Sequence, residues 1–218
     1  MGALSAIHDI LFPPRCVFCR RFLKSSARMQ ICGECLDTLP FTKNGGEMNG
    51  EFFELCVAPL YYEGDVRESL LRFKFKDATG YAEEYGKLLA DCIRDNLAGR
   101  YDLISWVPLS RKRLKERGYD QAMLLAMAAA LELDDVAVST LEKPLEAEKQ
   151  STMGSPEKRR ANIAGAYRAV DPELIDGKRI LLIDDIVTTG ATLSECAKTL
   201  LSAGAKQVLC AAVARAKE

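Results

Sequence analysis

The clearest pattern of apolar and polar positions lies near the end of the chain. Residues 179–183 form a continuous apolar run, 191–202 repeat apolar positions at helical spacing, and 207–213 are apolar again. Short continuous runs predict strands buried on both faces, and the segment between them predicts an amphipathic helix. The same alternation extends back along the chain. Residues 56–61, 103–107, 136–141 and 165–170 predict strands. Residues 66–75, 83–97 and much of 120–133 predict helices, with Leu88, Leu89, Cys92 and Ile93 on the apolar side of the second. Strands alternating with helices predict an α/β fold, a parallel sheet flanked by helices.

Polar and turn-forming residues divide this pattern. Pro13 and Pro14 close a short apolar start, and a cysteine-rich module follows, giving a first unit of residues 1–42. Residues 43–50 include Asn44, Gly45, Gly46, Asn49 and Gly50, which favour turns and offer little to bury, so they read as a linker. Residues 51–218 form the main domain. Within it, residues 143–163 are polar and charged, carry Pro144, Gly154 and Pro156, and read as a mobile loop. The longest apolar stretch, 122–131, falls short of the roughly 20 residues that cross a bilayer and is bounded by Asp120 and Glu132. It reads as a buried helix, and no membrane insertion is expected. The N-terminus lacks a basic start and cleavage site, and Ala6 stands where myristoylation requires Ser or Thr. The expected location is cytoplasmic.

A length of 218 residues suits one α/β domain plus a small module. A net charge of −1 gives no global attraction to nucleic acid, so any such role would rest on local patches. Of the eight cysteines, Cys56, Cys92, Cys196 and Cys210 are scattered through apolar segments and read as small core residues. The others form Cys16-x-x-Cys19 and Cys32-x-x-Cys35, separated by twelve residues. Two such turns present four thiolates to one ion and complete a tetrahedron, so the pattern predicts a structural zinc site, a zinc-ribbon-like module. Thioredoxin-type chemistry uses a single pair. So short a module has little core of its own, and metal binding supplies the missing free energy. Set off by a linker, it is expected to lose Cys32 without unfolding the main domain. Arg15, Arg20, Arg21, Lys24 and Arg28 surround it, with Phe18 and Phe22 interleaved. That combination suits single-stranded nucleic acid, or else the rings pack against the main domain and the cations are solvated.

The candidate chemistry follows the apolar run 179–183. Asp184 and Asp185 come next, then Val187, Thr188, Thr189, Gly190, Ala191 and Thr192, where the last helix begins. Ligands of parallel sheets bind beyond the carboxyl ends of the strands, and a helix N-terminus favours an anion. Gly190 permits close backbone approach, the threonines supply hydroxyls, and two carboxylates can accept a diol. A ribose 5-phosphate satisfies both halves. The alternative is that the acids cap a helix. Neither a Walker A sequence nor a Gly-x-Gly-x-x-Gly is present. The segment resembles the phosphoribosyl-pyrophosphate signature of type I phosphoribosyltransferases. The resemblance implies binding of 5-phosphoribosyl 1-pyrophosphate with magnesium, and Asp184 and Asp185 as the catalytic carboxylates.

A second segment leaves the strand expected at 103–107. It runs Pro108, Leu109, Ser110, Arg111, Lys112, Arg113, then Leu114 to Gln121, with Lys115 and Arg117 adding charge and Gly118 marking a turn. A solvated helix face is one reading. In the type I fold the corresponding loop holds pyrophosphate, which gives these cations a purpose. Taken with the paired cysteines, Phe73-Lys74-Phe75, Gln150, Arg159, Asn162, the segment Gly165-Ala166-Tyr167 and the closing Ala214-Arg215, the chain resembles the ComF family. Two positions depart from that pattern: Asp120 where Asn is usual, and Lys143 where Arg is usual. The resemblance implies a phosphoribosyltransferase-like protein tied to natural competence, with single-stranded DNA and a helicase-like translocase as candidate partners. Gln150, Arg159 and Asn162 would act when the loop 143–163 closes. The alternatives are a non-catalytic nucleic-acid-binding accessory protein and a nucleobase-salvage enzyme.

Overall fold

The structure is a computed structural model that describes residues 13–24, 27, 29–76, 78–144 and 165–217. Within the cysteine module α1 spans Gly33–Thr38, and the strands β1 (Cys56–Val57) and β2 (Leu60–Tyr61) open the main domain. Then come α2 (Gly64–Phe75), α3 (Tyr81–Leu97), β3 (Leu103–Trp106), α4 (Arg111–Arg117) and α5 (Gln121–Glu132). The chain continues through β4 (Leu141–Glu142), β5 (Arg168–Ala169), α6 (Pro172–Ile175), β6 (Arg179–Val187), α7 (Ala191–Ser202) and β7 (Gln207–Arg215).

The main sheet is parallel, ordered β1–β7–β6–β3, with β2 also pairing β7. Its two long strands are apolar because both faces are covered, and their residues alternate between two cores. Leu181, Ile183, Leu209, Ala211 and Val213 face one core with α2, α3 and α5. Ile180, Leu182, Val208, Cys210 and Ala212 face the other, against Leu193, Cys196, Ala197 and Leu200 of α7. Cys56, Cys92, Cys196 and Cys210 are all buried, as their apolar setting implied.

The strand expected at 136–141 survives only as an isolated bridge from Ala137 to Ile104 and the start of β4. The one expected at 165–170 shrinks to β5. Among the described residues these two short strands pair only with each other, antiparallel, so the main sheet does not lengthen them. The helix expected at 122–131 forms, but only one side is buried: Met127 and Leu131 are exposed.

The cysteine module is not a separate body. Cys16, Val17, Phe18, Ile31 and Cys35 belong to the same core as α2 and α3. Phe18 packs edge-on against Tyr85, with ring centroids 6.0 Å apart. Arg72 donates to the carbonyl oxygens of Val17 (3.0 Å) and Phe18, and Ser69 donates to that of Val17. Residues 43–50 are also tied down, with Asn44–Gly46 in a short 3-10 turn and Met48 paired with Cys56. Arg215 donates to the carbonyls of Gly46 and Glu47 at 3.1 and 2.9 Å.

Candidate functional site

β3 and β6 are neighbours, with Trp106 opposite Ile183. The segments leaving their carboxyl ends therefore lie side by side, where a parallel sheet receives ligands. One carries residues 188–192 into α7. The other carries Pro108, Leu109 and Ser110 into α4.

The apolar run ending at Ile183 predicts both acids beyond the strand, but β6 continues to Val187. Ile186 and Val187 keep pairing with Ala214 and Arg215 of β7, which holds the backbone extended. Adjacent residues of a strand leave on opposite faces. Asp185 meets α2, its Oδ2 lying 2.9 Å from Lys74 Nζ, and both side chains are largely buried. Asp184 leaves toward the α7 side. There burial, followed by the carboxylate of Asp185, pushes its carboxyl up to about 8, against the pull of the Asp185 backbone N–H and Lys74. Asp184 Oδ1 accepts from that N–H at 2.8 Å. Neither acid caps a helix, since α7 starts from Gly190.

Gly190 adopts the left-handed φ of 72°. A Cβ added there would stand 3.3 Å from Phe53 Cζ and 3.4 Å from Met48 Cε. The conformation favours glycine, and any Cβ would also press lightly on the tips of the Phe53 and Met48 side chains. Gly190 brings no side chain to the start of α7, where only Ala191 N has a local hydroxyl, Thr189 Oγ1 at 3.4 Å. Thr188 and Thr189 are exposed, beside Val187 and Thr192.

The basic segment is a helix rather than an open loop. Ser110 caps it by accepting from Arg113 N at 3.3 Å, and Gly118 ends it with a φ of 81°. Arg, Lys and Glu are good helix formers, and a serine cap suffices to start them. No residue of the helix is buried, so Arg111, Lys112 and Arg113 stand at the surface. Leu109 N donates to Asp120 Oδ2 at 2.9 Å, so that N–H is engaged within the protein. Asp120 is buried, and its Oδ1 also accepts from Met123 N at 3.1 Å. Both oxygens act as acceptors, which an Asn side chain could not reproduce. The other departure, Lys143, places its ammonium 4.9 Å from the centre of the Tyr167 ring. Gln150, Arg159, Asn162 and most of the expected loop lie outside the described residues.

Lys74 is the site residue whose role the sequence did not reveal. It lies more than a hundred positions before Asp185, and its one signal was its place in the Phe73-Lys74-Phe75 segment.

At the other end, the sulfur atoms of Cys16, Cys19, Cys32 and Cys35 all lie within 4.8 Å of one another, with Cys19 and Cys32 3.6 Å apart. Four sulfurs held about 2.3 Å from one zinc ion stand about 3.8 Å apart, so the cluster fits a tetrahedral site. Cys32 N donates to Cys16 Sγ, and Cys35 N to Cys32 Sγ, each at 3.4 Å. Although burial opposes it, backbone N–H groups from Cys32, Cys19 and Phe18 bring the Cys16 thiol down to about 7. Such donors suit a thiolate ligand. Four protein ligands leave no open position, so the ion is structural.

This parallel sheet with its acid-and-glycine turn, carrying a four-cysteine ribbon, defines a phosphoribosyltransferase-like α/β protein with an N-terminal zinc ribbon. The phosphoribosyl transferase domain family matches residues 115–218, and the double zinc ribbon domain family matches residues 7–47. Competence protein F of Haemophilus influenzae is 28% identical over 208 residues, covering 93% of this chain and 85% of that protein. Competence protein ComFC of Bacillus subtilis is 32% identical over 143 residues, 66% of this chain and 56% of that one. The DNA utilization protein YhgH of Escherichia coli K12 is 33% identical over 107 residues, 49% of this chain and 46% of that one. The chain thus spans most of the first relative and about half of the other two. These matches support a ComF-family phosphoribosyltransferase-like protein. Among the described residues, no helix is long and apolar enough to cross a membrane.

Proposed function

We propose that this chain binds 5-phosphoribosyl 1-pyrophosphate together with magnesium and transfers the phosphoribosyl group in the uptake or processing of single-stranded DNA. The observation that carries this reading is the junction of β6 with α7. Two carboxylates stand beside a helix start that has a glycine for its cap, with the exposed cations of α4 on the neighbouring segment. The 5-phosphate lies against the N–H groups and hydroxyls of residues 188–192. The ribose hydroxyls donate to Asp184 and Asp185, and Arg111, Lys112 and Arg113 face the pyrophosphate.

The acids are suited to a hard cation, since carboxylate oxygens are its preferred ligands. The Asp184 carboxyl is raised first by burial and then by the charge of Asp185, so a cation bound beside it would favour its ionised form. Magnesium, when bound, supplies neutralisation of the departing pyrophosphate. In the reaction the C1–O bond to pyrophosphate breaks, and the electron pair leaves with pyrophosphate. A lone pair of the acceptor forms the new bond at C1, and the acceptor gives up a proton. The carboxylates stabilise the positive charge that develops on the sugar, and the α4 cations stabilise the leaving group. Cytoplasmic location and a helicase-like partner belong to the same proposal, the partner implied by the ComF resemblance.

Release of pyrophosphate from 5-phosphoribosyl 1-pyrophosphate and magnesium, assayed with candidate acceptors, tests the chemistry. Release above the uncatalysed rate, lost in Asp184→Asn, supports it; none with any acceptor contradicts a catalytic role.

One observation favours an accessory role in binding single-stranded DNA. Phe22 is 58% exposed, and Arg15 lies 4.0 Å from its ring centre, which pairs a stacking surface with a cation. Phe18, by contrast, is buried and cannot stack on a base. Oligonucleotide binding that falls in Phe22→Ala would support this role.

A further inference from the structure

Phe75 closes α2 and is 63% exposed, although the two residues before it are fixed. Phe73 is fully buried, with its ring 5.5 Å from that of Tyr85 and 6.1 Å from that of Tyr119. Tyr119 also donates its hydroxyl hydrogen to the Phe73 carbonyl. Lys74 is held on Asp185 at 2.9 Å. The backbone under Phe75 is therefore anchored from the core on one side and from the acidic pair on the other.

The ring itself is held by α4. The Arg117 guanidinium carbon lies 4.9 Å from its centre, and Arg117 is in turn steadied by Gln121, whose Oε1 accepts from Nη1 at 2.8 Å. Gln121 is itself buried. Arg117 also feels the charge of Asp185, so ring, guanidinium and carboxylate share one rim. A lone exposed apolar side chain needs no explanation. An aromatic ring clamped by a guanidinium, one residue from the ion pair of the acidic site, calls for one, and the phosphoribosyl reading does not use it.

We propose that Phe75 and Arg117 form the acceptor platform: a planar nitrogen heterocycle of the nucleobase type stacks on Phe75, while Arg117 donates to its ring oxygen or nitrogen. This rests on the phosphoribosyl reading, because the platform has a purpose only where an acceptor meets the ribose. A flat ring suits such a ligand since every base offers a π-face, and a guanidinium adds donors as well as stacking. The ring can come from a free base or from a base in a single strand; the chemistry of contact is shared.

The test uses the full zinc-loaded chain and three variants, Phe75→Leu, Phe75→Trp and Arg117→Gln. Binding of 5-phosphoribosyl 1-pyrophosphate with magnesium is titrated first. Adenine, uracil and a short oligothymidylate are then titrated onto the complex. The platform predicts that Phe75→Leu keeps wild-type affinity for the sugar phosphate and the wild-type melting temperature. It predicts that base binding falls between about fivefold and hundredfold, the range that loss of one base stack produces, and that Phe75→Trp restores it. Arg117→Gln should weaken base binding without abolishing it. Loss for adenine or uracil identifies a free base as the source, and loss for the oligonucleotide alone identifies a strand. Equal binding of all three probes by wild type and Phe75→Leu, or no binding of any probe, overturns the platform. Failure of the wild-type chain to bind the sugar phosphate would instead overturn the phosphoribosyl reading.

Discussion

Lys74 Nζ lies 2.9 Å from Asp185 Oδ2, joining the last turn of α2 to the acidic strand. With side chains 18% and 12% exposed, the pair is poorly hydrated, so each charge depends on the other. Removing one partner of such a pair leaves an uncompensated charge, which costs several kcal/mol when burial is complete. Here water still reaches part of the pair, so Lys74→Met should destabilise the unliganded protein by about 1 to 3 kcal/mol. Millimolar magnesium should recover more stability in the variant than in wild type, because the lost positive charge is what it replaces. Thermal melts with and without magnesium check this. Equal melting of variant and wild type would remove Lys74 from the site.

The ribbon and main domain should unfold together. The linker and module, read from sequence, suggested that loss of Cys32 would spare the main domain. The common core of Val17, Phe18, Tyr85 and Phe73 points the other way. Chelation of zinc, or Cys32→Ser, should therefore lower the melting temperature of the whole chain in one transition. Two separate transitions in calorimetry, the upper one unchanged, would contradict a shared core.

Acid sensitivity should arise in part at the amino end of the sheet, where Asp102 pairs with Arg179. Hydrogen bonds from the Arg179 side chain and its backbone N–H hold the Asp102 carboxyl well below the usual aspartate range. A depressed carboxylate adds stability at pH values above its unfolded pKa of about 3.9 and loses it as pH falls through the lower folded value. Asp102→Asn should thus lower the urea midpoint at pH 7 and narrow its gap to wild type below about pH 4. A gap as wide at about pH 2.5 as at pH 7 would mean that charge is not the cause.

Legibility in the sequence followed the range of the interactions. The helix Ala191–Ser202 was read to the residue because its apolar spacing and the preceding glycine are local signals. The end of β6 was not, since Ile186 and Val187 stay extended through partners on β7, nearly thirty positions later. Strand signals at 136–141 and 165–170 overshot for the converse reason: β propensity was present, but long partners were not. The zinc ligands were plain from spacing. Packing of Phe18 against the main domain was one of two sequence readings, but its partners Ser69, Arg72 and Tyr85, and the burial of Val17 beside it, were not legible. In the site, the acids and Gly190 declared themselves as one continuous motif. Lys74 and Phe75 did not, because only the fold brings α2 to the end of β6.

The central claim is that Asp184 and Asp185 hold a ribose diol with its cation, and one titration addresses it directly. Isothermal calorimetry of 5-phosphoribosyl 1-pyrophosphate with magnesium compares wild type with Asp184→Asn/Asp185→Asn. Each lost hydrogen bond to a charged group is worth about 1.5 to 3 kcal/mol, so affinity should fall at least about tenfold. The double variant should remain folded by circular dichroism, since Asn keeps the size of Asp on both faces of β6. Unchanged affinity in a folded double variant would contradict the account.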